Sequence, residues 1–318
     1  MALLESSVTY KPFQYPWAVE KAISHEKIHW GEWEAKLQED VAQWKTGAIT
    51  PQEKAHITSI LRLFTQSDVQ VGTNYLEYYI PKFKNNEIRA MLSSFVNREF
   101  VHQRSYALLN DTLGLPEEEY SAFLEYEAMK EKIDFMGDID INSHAGTAKA
   151  IARSVMNEGM SLFSAFAMLL NYQRFGKMKG MCEIVEWSVR DETMHCDGMV
   201  QLFREFCKEH PRIVTDEFKL SIYQMFRDGV ALEDQVIETA FADGDIQGLT
   251  AQEVKQYIRY IADRRLIQLG LKGNWKVTKN PLDWLEWVLN GDSFKNFFEG
   301  TVTDYNAAGM DGDDWGWG

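Results

Sequence analysis

The sequence predicts an all-α bundle of long helices. Glycine and proline number only 21 and 7 in 318 residues, which leaves room for uninterrupted helices. Strand signals are almost absent: no period-two run of β-branched residues persists, and no Asn-Gly or Asp-Gly turn joins two such runs. Hydrophobic residues make up 45% of the chain, enough to bury a sizeable core.

The helices follow in order. A helical pattern starts near Pro16 and continues, with interruptions, through the Trp30–Trp44 region. Thr50, Pro51 and Glu53 form a start signal, with Thr50 as cap, Pro51 in the first turn and Glu53 completing a capping box. The helix they open reads to about Tyr79 and should end before Pro81. A second long helix spans about Asn86 to Leu113 and is stopped by Gly114 and Pro116. A shorter one covers roughly 117–134. Further long helices cover about 145–173 and 180–208, the latter ending before Pro211. Two more lie near 214–242 and 250–271, and Asn280-Pro281 opens a short Trp-rich segment. There is no internal repeat and no linker before residue 290. Residues 1–298 are read as one helical domain. Residues 299–318, rich in Gly and Asp, are read as a flexible tail that keeps Tyr305, Trp315 and Trp317 and orders on a partner.

Composition narrows the function. A formal net charge of -15 repels phosphate backbones and anionic bilayers, which argues against nucleic-acid binding and membrane docking. The most apolar stretch, Leu162 to Leu170, is about half of a bilayer crossing and reads as a buried helix. The N-terminus lacks the cationic start and apolar run of a secretory signal. Cys182, Cys196 and Cys207 form no CxxC pair, and an odd count without a leader fits a cytoplasmic protein.

One constellation carries chemistry. Glu99 precedes His102 by three residues, and Glu192 precedes His195 by three, each pair within a long helix. Residues three apart share a helix face, so each pair can offer a carboxylate oxygen and an imidazole nitrogen to one point. A single such pair is weak evidence; two are less easily accidental. Two other long helices each add a carboxylate in an apolar setting, Asp68 and Glu158. Buried carboxylates are costly unless compensated, and a pair of metal ions would compensate all four. One carboxylate from each of two helices and Glu-x-x-His from each of two others is the ligand pattern of ferritin-like di-metal bundles. Four carboxylates and two imidazoles suit iron or manganese better than zinc. Tyr106 lies four residues after His102 and seven after Glu99, which returns it to the metal-facing stripe. There it is either a phenol oxidisable by one electron or a buried tyrosine hydrogen-bonded to a carboxylate.

The run from Glu99 through His102 to Tyr106, together with Asp68, Glu158-Gly159 and Arg190-Asp191-Glu192 before His195, resembles the small subunit of class I ribonucleotide reductases over nearly the whole chain. The resemblance implies a ferritin-like fold and a dinuclear centre in which Asp68, Glu99 and His102 bind one metal and Glu158, Glu192 and His195 the other. Two of these carboxylates would be able to bridge. Tyr106 would carry a stable radical, shielded by the apolar run around Leu162, Phe163 and Phe166. Asp191 would link His102 to a relay tryptophan, Trp30, with Trp33 a near competitor, and Tyr305 would be the relay tyrosine of the tail. The centre would hold two irons, with two manganese ions or a mixed pair as alternatives, and a manganese form would call for a flavoprotein activator.

The resemblance further implies a homodimer and a large catalytic subunit that docks the tail and reduces ribonucleotides to deoxyribonucleotides for DNA replication. This chain has no reducing thiol pair and no phosphate-cradling glycine loop, so nucleotide chemistry should lie on that partner. The competing readings are another ferritin-like di-metal oxidase, of the desaturase or ligand-binding type, and a non-catalytic metal-storage bundle.

Overall fold

The computed structural model describes residues 2–288, and among these it is helical throughout, with one isolated bridge between Ile246 and Leu249 in place of any sheet. The helices are α1 (Pro16–Glu26), α2 (Gln38–Thr46), α3 (Pro51–Asn74), α4 (Ile80–Lys82), α5 (Asn86–Leu113), α6 (Glu127–Met136), α7 (His144–Met156), α8 (Phe163–Leu170), α9 (Lys179–Glu209), α10 (Asp216–Ala240), α11 (Ala251–Gln268) and α12 (Asp283–Val288). The boundary expected after residue 298, and with it Tyr305, Trp315 and Trp317, lies outside the described residues.

Four elements surround the centre: α3, α5, the α7–α8 pair and α9. α3 packs along α5 and α7 along α9, while α1 lies across α5 and α9. α10 and α11 pair with each other and close the side formed by α7 and α8. α3 begins as its sequence requires: the Thr50 side chain accepts from the Glu53 N–H, and the Glu53 carboxylate accepts from the Thr50 N–H at 2.9 Å. α5 ends at Gly114, whose φ of 74° is the left-handed conformation that glycine adopts without strain. No helix of the described residues is long and apolar enough to cross a membrane, and Leu162 to Leu170 is buried throughout.

Three expectations need correction. The helix begun at Pro51 does not end before Pro81. It widens into a π-helical turn at Tyr75–Tyr79 and continues through Ile80–Lys82, so Pro81 sits in the last turn. The segment 117–134 is not one helix: two short 3-10 turns, Glu117–Tyr120 and Ala122–Glu125, precede α6. The long helix over 145–173 is interrupted at Asn157–Ser161 by a second π turn and ends in a 3-10 turn at Asn171–Phe175.

That second π turn frees backbone carbonyls, and two buried cations take them. Arg265 Nε donates to the Gly159 carbonyl at 2.8 Å, and Lys132 Nζ to the Ser161 carbonyl at 2.6 Å. A Cβ at position 159 would stand 2.5 Å from Arg265 Nε and 2.7 Å from Cys196 Sγ, so this close approach requires glycine. π turns of this kind concentrate at functional sites, and this one carries Glu158.

Candidate metal centre

The six expected ligands come together at the middle of the bundle, all buried: Asp68 from α3, Glu99 and His102 from α5, Glu158 from the π turn, Glu192 and His195 from α9. They form two overlapping groups, Asp68, Glu99, His102 and Glu192 on one side and Glu99, Glu158, Glu192 and His195 on the other, with the potential ligand atoms of each group within 4.8 Å of one another. Glu99 and Glu192 belong to both. Each histidine turns Nδ1 inward: His102 Nδ1 lies 3.2 Å from Glu192, and His195 Nδ1 lies 3.0 Å from Glu99 and 3.3 Å from Glu158.

The cluster carries more negative groups than its neighbours satisfy. Asp68 Oδ2 and both carboxylate oxygens of Glu99 and of Glu192 have no hydrogen-bond partner. Burial drives the Asp68 carboxyl well above the usual carboxylate range, with Glu99 and Glu192 adding to it. Burial also pushes Glu158 up to about 7. Burial opposes charge on His102, but the Asp191 carboxylate behind it and the nearby carboxylates of Glu192 and Glu99 outweigh it and hold the imidazole well above its ordinary value. A set of hard oxygen donors and imidazoles lacking positive partners is what a pair of divalent first-row cations fits.

Glu158 is held from two further sides. The Tyr75 hydroxyl donates to its Oε2 at 2.7 Å, and the Ser154 hydroxyl donates to Oε1. Behind His102, Nε2 faces Asp191 Oδ2 at 3.2 Å, and Trp30 Nε1 donates to that same oxygen at 2.7 Å. The Trp30 ring stacks on His102 with centroids 5.8 Å apart and lies 4.9 Å from Trp187. Arg98 donates to the Trp30 carbonyl at 3.1 Å, and its Nε lies 3.9 Å from Asp191. Behind His195, Nε2 faces not a carboxylate but His25 Nε2, at 3.1 Å. Burial, then the neighbouring His195, drives the His25 pKa down to about 2, so this ring is neutral.

Tyr106 is buried on the Asp68 side. Its hydroxyl donates to Ser188 Oγ at 2.9 Å, not to a carboxylate, and Ser188 in turn donates to the Ile184 carbonyl at 3.0 Å. The ring meets Phe64 at 4.5 Å; Phe64 meets Phe166 at 5.1 Å, and Phe166 meets Phe163 at 5.3 Å.

The family described as "Ribonucleotide reductase, small chain" matches residues 7–281. This chain belongs to the ribonucleotide reductase small-chain family. A relative from Invertebrate iridescent virus 3, named "Probable ribonucleoside-diphosphate reductase small subunit 048L", is 39% identical over 99% of this chain and 88% of its own length. The "Ribonucleoside-diphosphate reductase subunit beta" of Chlamydia pneumoniae is 29% identical over 94% of this chain and 90% of its own. In fold, the chain matches the ribonucleotide reductase R2 subunit from Clostridium botulinum with a TM-score of 0.82, at 24% identity, covering 92% of this chain and 95% of that one. The chain is therefore the small subunit of a ribonucleoside-diphosphate reductase, an oxidoreductase that works with a large subunit, and its ferritin-like bundle houses a dinuclear metal centre.

Several neighbours of the centre in this small chain escaped sequence reasoning. Tyr75 lies seven residues after Asp68, the spacing that drew attention to Tyr106 after Glu99, so the same argument could have found it. Arg98 stands directly before Glu99 within the motif. His25 and Phe64 carry no local signal, because each meets the centre only through the packing of α1 and α3.

Proposed function

We propose that Tyr106 bears the radical that this small subunit supplies to its large partner, and that Asp68, Glu99, His102, Glu158, Glu192 and His195 bind the two ions beside it. Asp68, Glu99 and His102 would hold one ion and Glu158, Glu192 and His195 the other, and Glu99 and Glu192, which belong to both groups, could serve either. The observation that carries the reading is a set of buried carboxylate oxygens without partners next to a phenol sealed from water. Held by these residues and oxidised by an external oxidant, the two ions would supply the oxidising power that removes one electron from the phenol, its proton leaving with it.

The remaining work belongs to the chain. Tyr106 presents its hydroxyl proton to Ser188 Oγ, and Phe64, backed by Phe166 and Phe163, shields its ring from water and reductants. Asp191 accepts from His102 Nε2, which leaves the Nδ1 lone pair for an ion, and it also accepts from Trp30. Trp30 is thus the relay residue through which the oxidising equivalent leaves, and Tyr305 of the tail continues the path at the docked large subunit.

The donor set serves iron and manganese equally. We assign two irons to the native protein, with two manganese ions or a mixed pair as the alternatives, and a manganese form would need a flavoprotein activator. The working unit is a cytoplasmic homodimer bound through its tail to the large subunit.

Metal analysis with electron paramagnetic resonance tests the whole. About two ions per chain and a tyrosyl signal lost in Tyr106→Phe, with metal content retained, are the expected results. A signal that survives Tyr106→Phe would move the radical elsewhere, and a chain without the ion pair would end the reading.

A further inference from the structure

The two inward-facing imidazoles are held from behind in different ways. His102 rests on a carboxylate, Asp191, while His195 rests on a second imidazole, His25. A histidine binds a metal only through a ring nitrogen that carries no proton, so the partner of the other nitrogen decides whether it is ready.

The partner's own hydrogen bonds settle its tautomer. The Ser94 hydroxyl has one hydrogen, and it donates this to the Met91 carbonyl at 2.9 Å. Ser94 Oγ can then only accept from His25 Nδ1, which lies 3.2 Å away. Two ring nitrogens 3.1 Å apart hold one proton between them, and with the His25 proton on Nδ1 its Nε2 is the bare one. That nitrogen accepts from His195 Nε2–H at 3.1 Å, and the His195 lone pair falls on Nδ1, the atom that faces Glu99, Glu158 and Glu192. The T-shaped contact of His25 with Phe95, centroids 5.3 Å apart, holds the ring in place.

We infer that His25 is a positioning residue for the metal centre: the chain of bonds from the Met91 carbonyl through Ser94 and His25 presets His195 in the tautomer that ligates through Nδ1. The inference rests on the ligand assignment proposed above. It gives α1, which supplies no ligand, a direct part in building the second ion position. It also makes the two positions unequal, since a carboxylate behind His102 strengthens that ligand more than a neutral ring strengthens His195.

The test is a titration of the full-length apoprotein with Co(II), followed by ligand-field absorption and calorimetry. Wild type should take up two ions, and His195→Ala should lose tight binding of one. In His25→Phe, which keeps a ring but no acceptor, one ion should bind about 10- to 100-fold more weakly while the other stays within about threefold of wild type. His25→Gln, whose amide oxygen can accept from His195, should restore the lost affinity.

Wild-type affinity for both ions in His25→Phe would overturn the inference, as would a loss in His25→Gln equal to that in His25→Phe. A wild-type chain that takes up no ion pair would instead overturn the ligand assignment itself. Should His25→Phe not fold, nitrogen-15 spectra of the zinc-loaded wild type decide the matter. A proton on His25 Nδ1 and a bare Nε2 are expected, and the opposite tautomer refutes the relay.

Discussion

Trp30 and Trp33 lie three residues apart yet occupy opposite environments: Trp30 is 2% exposed and stacks on His102, whereas Trp33 is 70% exposed and folds back over Gly31. The sequence offered both as relay candidates. Only Trp30 donates to Asp191, the carboxylate that backs a proposed metal ligand.

Trp30→Phe should therefore leave metal content and the tyrosyl signal intact but lower turnover with the large subunit by about 100-fold or more, the scale on which a misplaced group disables a reaction. Trp33→Phe should stay within a few-fold of wild type. Reductase assays alongside spin quantitation check both. Equal losses in the two variants would mean that the aromatic pair serves docking rather than electron passage.

The Tyr106 hydroxyl donates to Ser188 Oγ at 2.9 Å, and its ring packs against Phe64. Ser188→Ala should leave that buried hydroxyl unsatisfied and cost about 1–3 kcal/mol in denaturant unfolding. The radical should still form. Its largest g value in high-field resonance should stay as in the wild type, because Ser188 spends its one hydrogen on the Ile184 carbonyl and donates none to the phenoxyl oxygen. A value that rises in the variant would show that Ser188 turns to donate to the radical.

Lys132 and Glu233 form a buried ion pair at 2.7 Å, completed by Ser164 Oγ donating to Glu233 at 2.7 Å. Burial raises the Glu233 pKa although Lys132 opposes the shift, so the pair strains against its surroundings. Lys132→Met should destabilise by about 3–5 kcal/mol, since it strands the carboxylate. Adding Glu233→Leu should recover much of that loss. Recovery should stop about 1–3 kcal/mol short, because the Ser161 carbonyl in the π turn has also lost its donor. Urea unfolding of the three variants measures this. Full recovery would show that Lys132 does nothing for the turn that carries Glu158.

What the sequence revealed and what it hid divide along a physical line. The start of α3 at Thr50, the span of α5 to Leu113 and the convergence of the six acidic and histidine side chains were legible, because caps and helical spacing act within a few residues. Both π turns were not. A single inserted residue leaves the hydrophobic period nearly unchanged, and the cations that stabilise the turn at Asn157–Ser161 arrive from α6 and α11. His25 was hidden for the same reason: it lies 170 residues from His195 along the chain. Tyr106 is buried on α5 as its spacing suggests, but its partner, Ser188, comes from another helix, and spacing on α5 could not name it.

His56 supplies a pH dependence separate from the metal centre. Its ring is buried against Phe241, 4.8 Å between centroids; Nδ1 faces the Tyr172 hydroxyl at 3.0 Å, and Nε2 has no partner. Tyr172 donates onward to the Glu53 carbonyl, so it accepts from His56 Nδ1–H and leaves Nε2 bare. Burial drives the pKa down from 6.5 to about 4, against a weaker upward pull from Glu53. Between those two values the unfolded chain binds a proton that the folded chain refuses. Stability is therefore lost as pH falls from about 6.5 towards 4, by about 3 kcal/mol in all, and the term is absent above pH 7. His56→Phe removes the titrating group, and in the difference between the two proteins the acid lability of the metal centre cancels. The gap between their unfolding free energies should narrow in favour of the variant as the solution is acidified from pH 7 to pH 4.5. A gap that stays constant over that range would mean that the folded chain accepts the proton at position 56 as readily as the unfolded one.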